Sequence, residues 1–210
     1  MMNDFNFALK NLGVNFTSKN IDKLRFYLEK ILLFSSRFNL VSNNVRNFDL
    51  LLLHALDSVA GLPIVKDKNP QQVLDVGSGA GFPGIVLAIF DHCRKYILIE
   101  RSNKKATFLK MISLELGLEN VEVLERDIAE EQNKYEFITI RAFGDIREYA
   151  NILKSILKAN GLIMAYKGKL SKIEFEVNYI KNLFDKVEIK SSAVSADKER
   201  YFLLLYNYKC

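Results

Sequence analysis

The sequence has no tryptophan, three prolines, two cysteines and two histidines in 210 residues. So few prolines exclude a long proline-rich linker. Cys93 and Cys210 stand far apart, so no disulfide framework is expected and a soluble cytoplasmic protein is the default reading. Two histidines cannot assemble a set of metal-ligand spacings; no metal is expected, and His92 with Cys93 reads as a surface or strand-edge pair. Long apolar runs are missing as well. The leucine run at residues 50–53 is broken by His54, far short of the ~20 residues that span a bilayer. Residues 1–10 carry Asp4 and no apolar run, so they do not read as a secretory signal. No membrane partner is expected.

What is present is an ordinary globular balance, 49% hydrophobic and 26% charged, which excludes a disordered or collagen-like chain. Fifteen phenylalanines and nine tyrosines supply a sizeable core. At roughly 150 residues per domain the length is one domain with an appendage. The formal charge of +5 divides unevenly, +3 over residues 1–70, −2 over 71–142 and +4 over 143–210. An excess of that size permits a polyanionic partner such as nucleic acid without requiring one.

Apolar residues at Ile21, Leu24, Leu28, Ile31 and Leu32 predict a helix over 21–38 with one buried face. A second helix is predicted over 48–60, stopped by Gly61 and Pro63. From residue 71 the pattern changes to short β-rich runs at 72–76, 96–99, 121–124, 137–140 and 162–166. Amphipathic stretches such as 104–116 and 146–157 separate them. This alternation predicts an α/β fold, a mostly parallel sheet covered by helices on both faces. A helical stretch near 173–184 follows. Two last runs, 187–190 and 201–206, are joined without a helix, which predicts an antiparallel hairpin at a sheet edge. The division expected is a helical N-terminal extension, 1–70, packed on a main domain, 71–210.

The strongest local signal is residues 73–84, VLDVGSGAGFPG. A strand feeds a turn with glycine at 77, 79, 81 and 84, where the backbone can take left-handed angles and a ligand can approach without a Cβ in the way. Residues 79–84 fit the dinucleotide pattern G-x-G-x-x-G, and Glu100, 19 residues after Gly81, sits where an acid holds ribose hydroxyls. Nicotinamide and S-adenosylmethionine enzymes both place an acid there. The earlier register Asp75-x-Gly77-x-Gly79-x-Gly81, with a carboxylate at the strand end to face a positively charged amino-acid group, favours S-adenosylmethionine. So does the terminal hairpin, which looks like the sheet edge of class I methyltransferases. Asp127, Ile128 and Ala129, after the third strand, are placed to line an adenine.

These residues resemble the RsmG (GidB) family of bacterial 16S ribosomal RNA methyltransferases. Residues 39–42 (NLVS) look like the family's Asn-Leu-Thr-Ser/Thr segment, and 54–58 (HALDS) are similar to its His-x-x-Asp-Ser helix. Residues 75–84 match its cofactor loop, including the Phe-Pro-Gly finish. Residues 140–143 (IRAF) resemble its Ser-Arg-Ala-Phe step, 166–168 (YKG) its Lys-Gly, and Arg200-Tyr201 the Arg-Tyr opening the last strand. Val41 and Ile140 depart from the usual hydroxylated residues, and Arg101 from a frequent Ser.

The resemblance implies a class I S-adenosylmethionine-dependent methyltransferase, Rossmann-like, with a seven-stranded sheet whose last strand is antiparallel. It implies methyl transfer to N7 of a guanine in 16S RNA, in the 530 loop, with free RNA or a small-subunit particle as partner. That nitrogen carries a lone pair and no proton, so in-line transfer needs alignment and no general base. Asp75, Gly77, Gly79, Gly81, Phe82, Glu100, Asp127, Ile128, Ala129 and Arg141 are the expected cofactor residues. Arg141 also orients the reactants. Asn39, Lys167 and Arg200 are RNA-binding candidates, and a monomer is expected. His54 and Asp57, three apart on one helical face, read as a hydrogen-bonded pair pinning the helical extension to the sheet. Two other classes stay open: a non-catalytic cofactor-sensing RNA-binding module and a nicotinamide-dependent oxidoreductase.

Overall fold

Short apolar runs, buried almost without a break in the central strands because both sheet faces are covered, build β1 (Gln72–Val76), β2 (Lys95–Ile99), β3 (Val121–Leu124), β4 (Tyr135–Arg141), β5 (Leu157–Lys167), β6 (Lys186–Ser191) and β7 (Tyr201–Asn207). The computed structural model describes residues 2–192, 194 and 199–208. Among them the strands form one seven-stranded sheet in the order β3-β2-β1-β4-β5-β7-β6. Strands β1 to β5 pair in parallel, and β7 inserts between β5 and β6, antiparallel to both. The expected mixed sheet with an antiparallel last strand is therefore present. Part of the loop joining β6 to β7, and Cys210, lie outside the described residues. Cys93 is an exposed free thiol.

The helices are α1 (Met2–Asn11), α2 (Ser18–Phe38), α3 (Phe48–Val59), α4 (Leu62–Lys68), α5 (Gly84–Phe90), α6 (Asn103–Glu115), α7 (Ile146–Ser155) and α8 (Leu170–Ile180). Alternation along the strands sorts them into two layers. Val73, Tyr96, Leu98, Phe137, Leu162 and Met164 point into a core shared with α1 to α6. Leu74, Val76, Ile97, Ile138, Ile163 and Leu203 point the other way, against α7 and α8. Leu24, Leu28 and Ile31 are fully buried, as their spacing predicts.

Two helices go beyond the sequence reading. Helix α1 buries Phe5 and Leu9, a single one-turn repeat too short to stand out. The helix predicted to stop at Gly61 and Pro63 does end, at Val59, and Pro63 then occupies the first turn of a further helix, α4, where its missing N–H leaves no bond unmade. The run Phe48–Lys68 contains an 18-residue window of mean hydropathy 1.6 and is by length and composition apolar enough to cross a membrane, a property that counting unbroken runs misses; half of that window is buried inside the protein. Leu51, Leu52, Val59, Leu62 and Val65 belong to the core shared with the sheet.

Candidate functional site

Strand order reverses between β1 and β4, with β2 and β3 to one side and β5 to the other. In a parallel sheet the crossovers part at such a point and leave a crevice at the carboxyl ends of the strands. A cleft of about 570 Å³ opens there, lined by segments that follow β1, β2, β3 and β4.

The glycine turn forms its floor. The N–H groups of Gly77 and Ser78 donate to the Ile99 carbonyl at 2.9 and 3.1 Å, tying the turn to the end of β2. Gly79 N–H donates to Glu100 Oε2 at 2.9 Å, and Glu100 Oε1 accepts from Ser102 N–H at 2.8 Å. The Glu100 carboxylate lines the cleft while it shapes the turn. Gly77 and Gly79 have φ of 66° and 60°. A Cβ on Gly77 would run into the Phe143 ring, whereas one on Gly79 would meet nothing nearer than the Gly77 carbonyl at 3.8 Å. Gly79 is thus where the main chain lies open to a ligand.

Three expected cofactor residues sit elsewhere. Asp75 is 1% exposed and does not line the cleft. It shares the strand face of Val73, so its carboxylate lies beneath the turn, accepting Gly84 N–H at 3.1 Å and the Thr139 hydroxyl at 2.9 Å. Burial pushes the carboxyl up to about 6, against the hydrogen bonds that pull it down. Gly81 does not line the cleft either; its missing Cβ makes room for Ile85 and for the Tyr27 hydroxyl, which would stand 2.8 Å from it. Ala129 is exposed and outside the cleft, its N–H held by Asp127 at 3.0 Å.

Asp127 and Ile128 line the cleft, Asp127 as the N-cap of a short 3-10 turn and Ile128 as a buried apolar wall. Phe82 lines the opposite side, its ring 5.5 Å from that of Tyr27 and 6.0 Å from that of His54. Arg101 pairs with Asp127 at 3.6 Å on the rim.

Arg141, at the end of β4, points into the layer containing α3. It donates to the His54 carbonyl at 2.7 Å, to Ser58 Oγ at 2.8 Å and to Asp57 Oδ2 at 3.4 Å, and meets His54 Nδ1. A guanidinium has no acceptor, so Nδ1 is the accepting side of this contact. Burial lowers the basicity of Arg141 while Asp57 opposes that shift. His54 and Asp57 both engage α3 with the sheet through Arg141. Arg141 and His54 line the main cleft and also a neighbouring cavity of about 260 Å³. Lys167 and Arg200 line that second cavity, each already paired: Lys167 with Glu176 at 2.6 Å, Arg200 with Asp57 at 3.1 Å. Asn39 lies outside both cavities. It caps α2 in a left-handed conformation and accepts from Arg46 at 2.6 Å.

Tyr27, Thr139 and Tyr166 were not picked out from sequence. Tyr27 was findable, since it continues the buried spacing between Leu24 and Ile31; Thr139 and Tyr166 share the period-two face of Arg141. Tyr166 donates to the Ser58 carbonyl at 2.8 Å. Among the described residues no group of three or more His, Cys, Asp or Glu is placed to hold a metal ion.

A family model described as GidB, rRNA small subunit methyltransferase G, matches residues 20–203. The ribosomal RNA small subunit methyltransferase G of Borrelia duttonii is 83% identical over 210 residues, covering 100% of both chains. That of Borreliella burgdorferi is 58% identical over 207 residues, covering 98% of this chain and 100% of the relative. Among solved structures, an S-adenosylmethionine-dependent O-methyltransferase from Thermotoga maritima superposes with a TM-score of 0.57 at 16% identity, covering 73% of this chain and 65% of that one.

Proposed function

The chain belongs to the GidB family, rRNA small subunit methyltransferase G, and from that premise we propose that it transfers a methyl group from S-adenosylmethionine to N7 of a guanine in the 530 loop of 16S ribosomal RNA. The observation that carries the reading is one crevice flanked by the open glycine turn on one side and by Arg141 on the other. The lining suits the cofactor. Gly79 lets a ligand reach the main chain, the Glu100 carboxylate suits ribose hydroxyls, and Ile128 with Phe143 offers apolar wall to an adenine.

Bound there, S-adenosylmethionine supplies an electrophilic methyl group on a sulfonium centre. The residues of this chain then have two tasks, alignment and charge. Guanine N7 needs no deprotonation, so the reaction calls for no nucleophile and base pair in the cleft. Phe82 and Arg141 border the reacting region, and Arg141 is held rigid by α3 so that its charge is preorganised. Asp75 and Gly81 serve the turn from behind. We assign RNA phosphates to the second cavity, where they compete with Asp57 for Arg200 and with Glu176 for Lys167, and a further RNA contact to Asn39. The working unit is a cytoplasmic monomer, which light scattering at micromolar concentration checks.

Transfer of labelled methyl from S-adenosylmethionine to small-subunit RNA or particles from a strain lacking the modification is expected. No transfer to naked RNA, particles or assembly intermediates would overturn the reading.

A further inference from the structure

We propose that Tyr27 is a positioning residue of the cofactor site: from the N-terminal helical layer its hydroxyl fixes the Ala80 carbonyl and so sets the shape of the glycine turn. This rests on the reading that the turn receives S-adenosylmethionine.

Tyr27 lies in α2, 53 residues from its partner, and donates to the Ala80 carbonyl at 2.8 Å. The side chain is fully buried, and a buried tyrosine hydroxyl left without a partner is costly. Burial also raises its pKa well above the ordinary value, so it remains a donor. Its other contacts converge on the same turn. The ring backs Phe82 at 5.5 Å, and Phe82 in turn lines the cleft. The hydroxyl occupies the space a Cβ of Gly81 would need. Ala80, Gly81 and Phe82 are thus all set by one side chain from outside the α/β repeat.

Helix α2 is itself anchored one turn from its start, where Asn20 Nδ2 donates to the Ile89 carbonyl of α5 at 2.6 Å. That bond fixes α2 against α5, the helix that follows the glycine turn, and Tyr27 is the point at which α2 reaches the turn itself. Losing the Tyr27 bond frees the Ala80 peptide without removing the ring that packs the core. Cofactor affinity should fall while the sheet stays intact.

The test is calorimetry with S-adenosylhomocysteine on Tyr27→Phe and, as a packing control, Leu28→Ala, which truncates a fully buried neighbour. Tyr27→Phe is expected to weaken binding about five-fold, the worth of one hydrogen bond, and to raise KM for S-adenosylmethionine with kcat at saturation and KM for RNA retained. Leu28→Ala is expected to lower Tm more and to leave the affinity within two-fold, on the order of ordinary surface effects. Tyr27→Phe binding as tightly as wild type, or Leu28→Ala losing affinity in proportion to its lost stability, would overturn the proposal. Failure of the wild type to bind S-adenosylhomocysteine would instead overturn the underlying cofactor reading. A Tyr27→Phe chain that does not fold would also overturn the proposal, because the hydroxyl would then be a requirement of the fold and not of the turn.

Discussion

Arg141 ends β4 among acceptors on α3, and its guanidinium reaches the His54 carbonyl, Ser58 Oγ and Asp57 together. A lysine offers one point charge in place of a planar fork. Arg141→Lys should therefore lose both turnover and about 1–3 kcal/mol of stability in urea denaturation; a lysine variant as stable as wild type would contradict the clamp. Asp75 makes a different prediction. Its folded pKa of about 6 lies above its ordinary 3.8. An acid that holds its proton more tightly when folded adds stability that is complete below pH ~4 and lost as pH rises through ~6. Asp75→Asn stays neutral throughout, so its stability relative to wild type should improve between pH 4 and pH 7, by about 1–3 kcal/mol. A difference that does not change with pH would mean that Asp75 is not buried as described.

Among the elements, the glycine turn gives the sharpest expectation. A side chain on Gly79 would project into open space, so Gly79→Val should fold, with a strained φ costing about 1–2 kcal/mol, yet bind S-adenosylhomocysteine more than ten-fold more weakly by calorimetry. Unchanged affinity would remove the turn from the cofactor site. This turn was legible in the sequence because its signal is local: a strand, then glycines at fixed offsets. The strands were legible for the same reason, although β5 begins earlier than its apolar run. Lys158, Ala159 and Asn160 are exposed, Asn160 has φ of 60°, and the pairing with β4 shifts register nearby, so neither hydropathy nor propensity marks them as strand. What could not be read was direction across the fold. Which face Asp75 takes depends on strand phase relative to helices not yet placed, and the Arg141 contacts join residues 83 to 87 apart.

For the whole molecule, the N-terminal helices are a layer of the sandwich. Tyr96, Phe137, Leu162 and Met164 of the sheet are buried in a core completed by α1 to α4, and Tyr27 and Asp57 reach from that layer to both sides of the cleft. A fragment of residues 71–210 is expected to expose one sheet face and to lack a cooperative thermal transition by circular dichroism; cooperative melting near the wild-type Tm would contradict the shared core. The last strand also meets the N-terminal layer, since Arg200 pairs with Asp57 of α3 beside the second cavity. The most direct measurement of what this assembly does is chemical cleavage at N7-methylguanine in 16S RNA from a deletion strain, with and without the gene restored. The account predicts that cleavage at one guanine of the 530 loop disappears on deletion and returns with the wild-type chain but not with Gly79→Val. Cleavage unchanged by the deletion would contradict it.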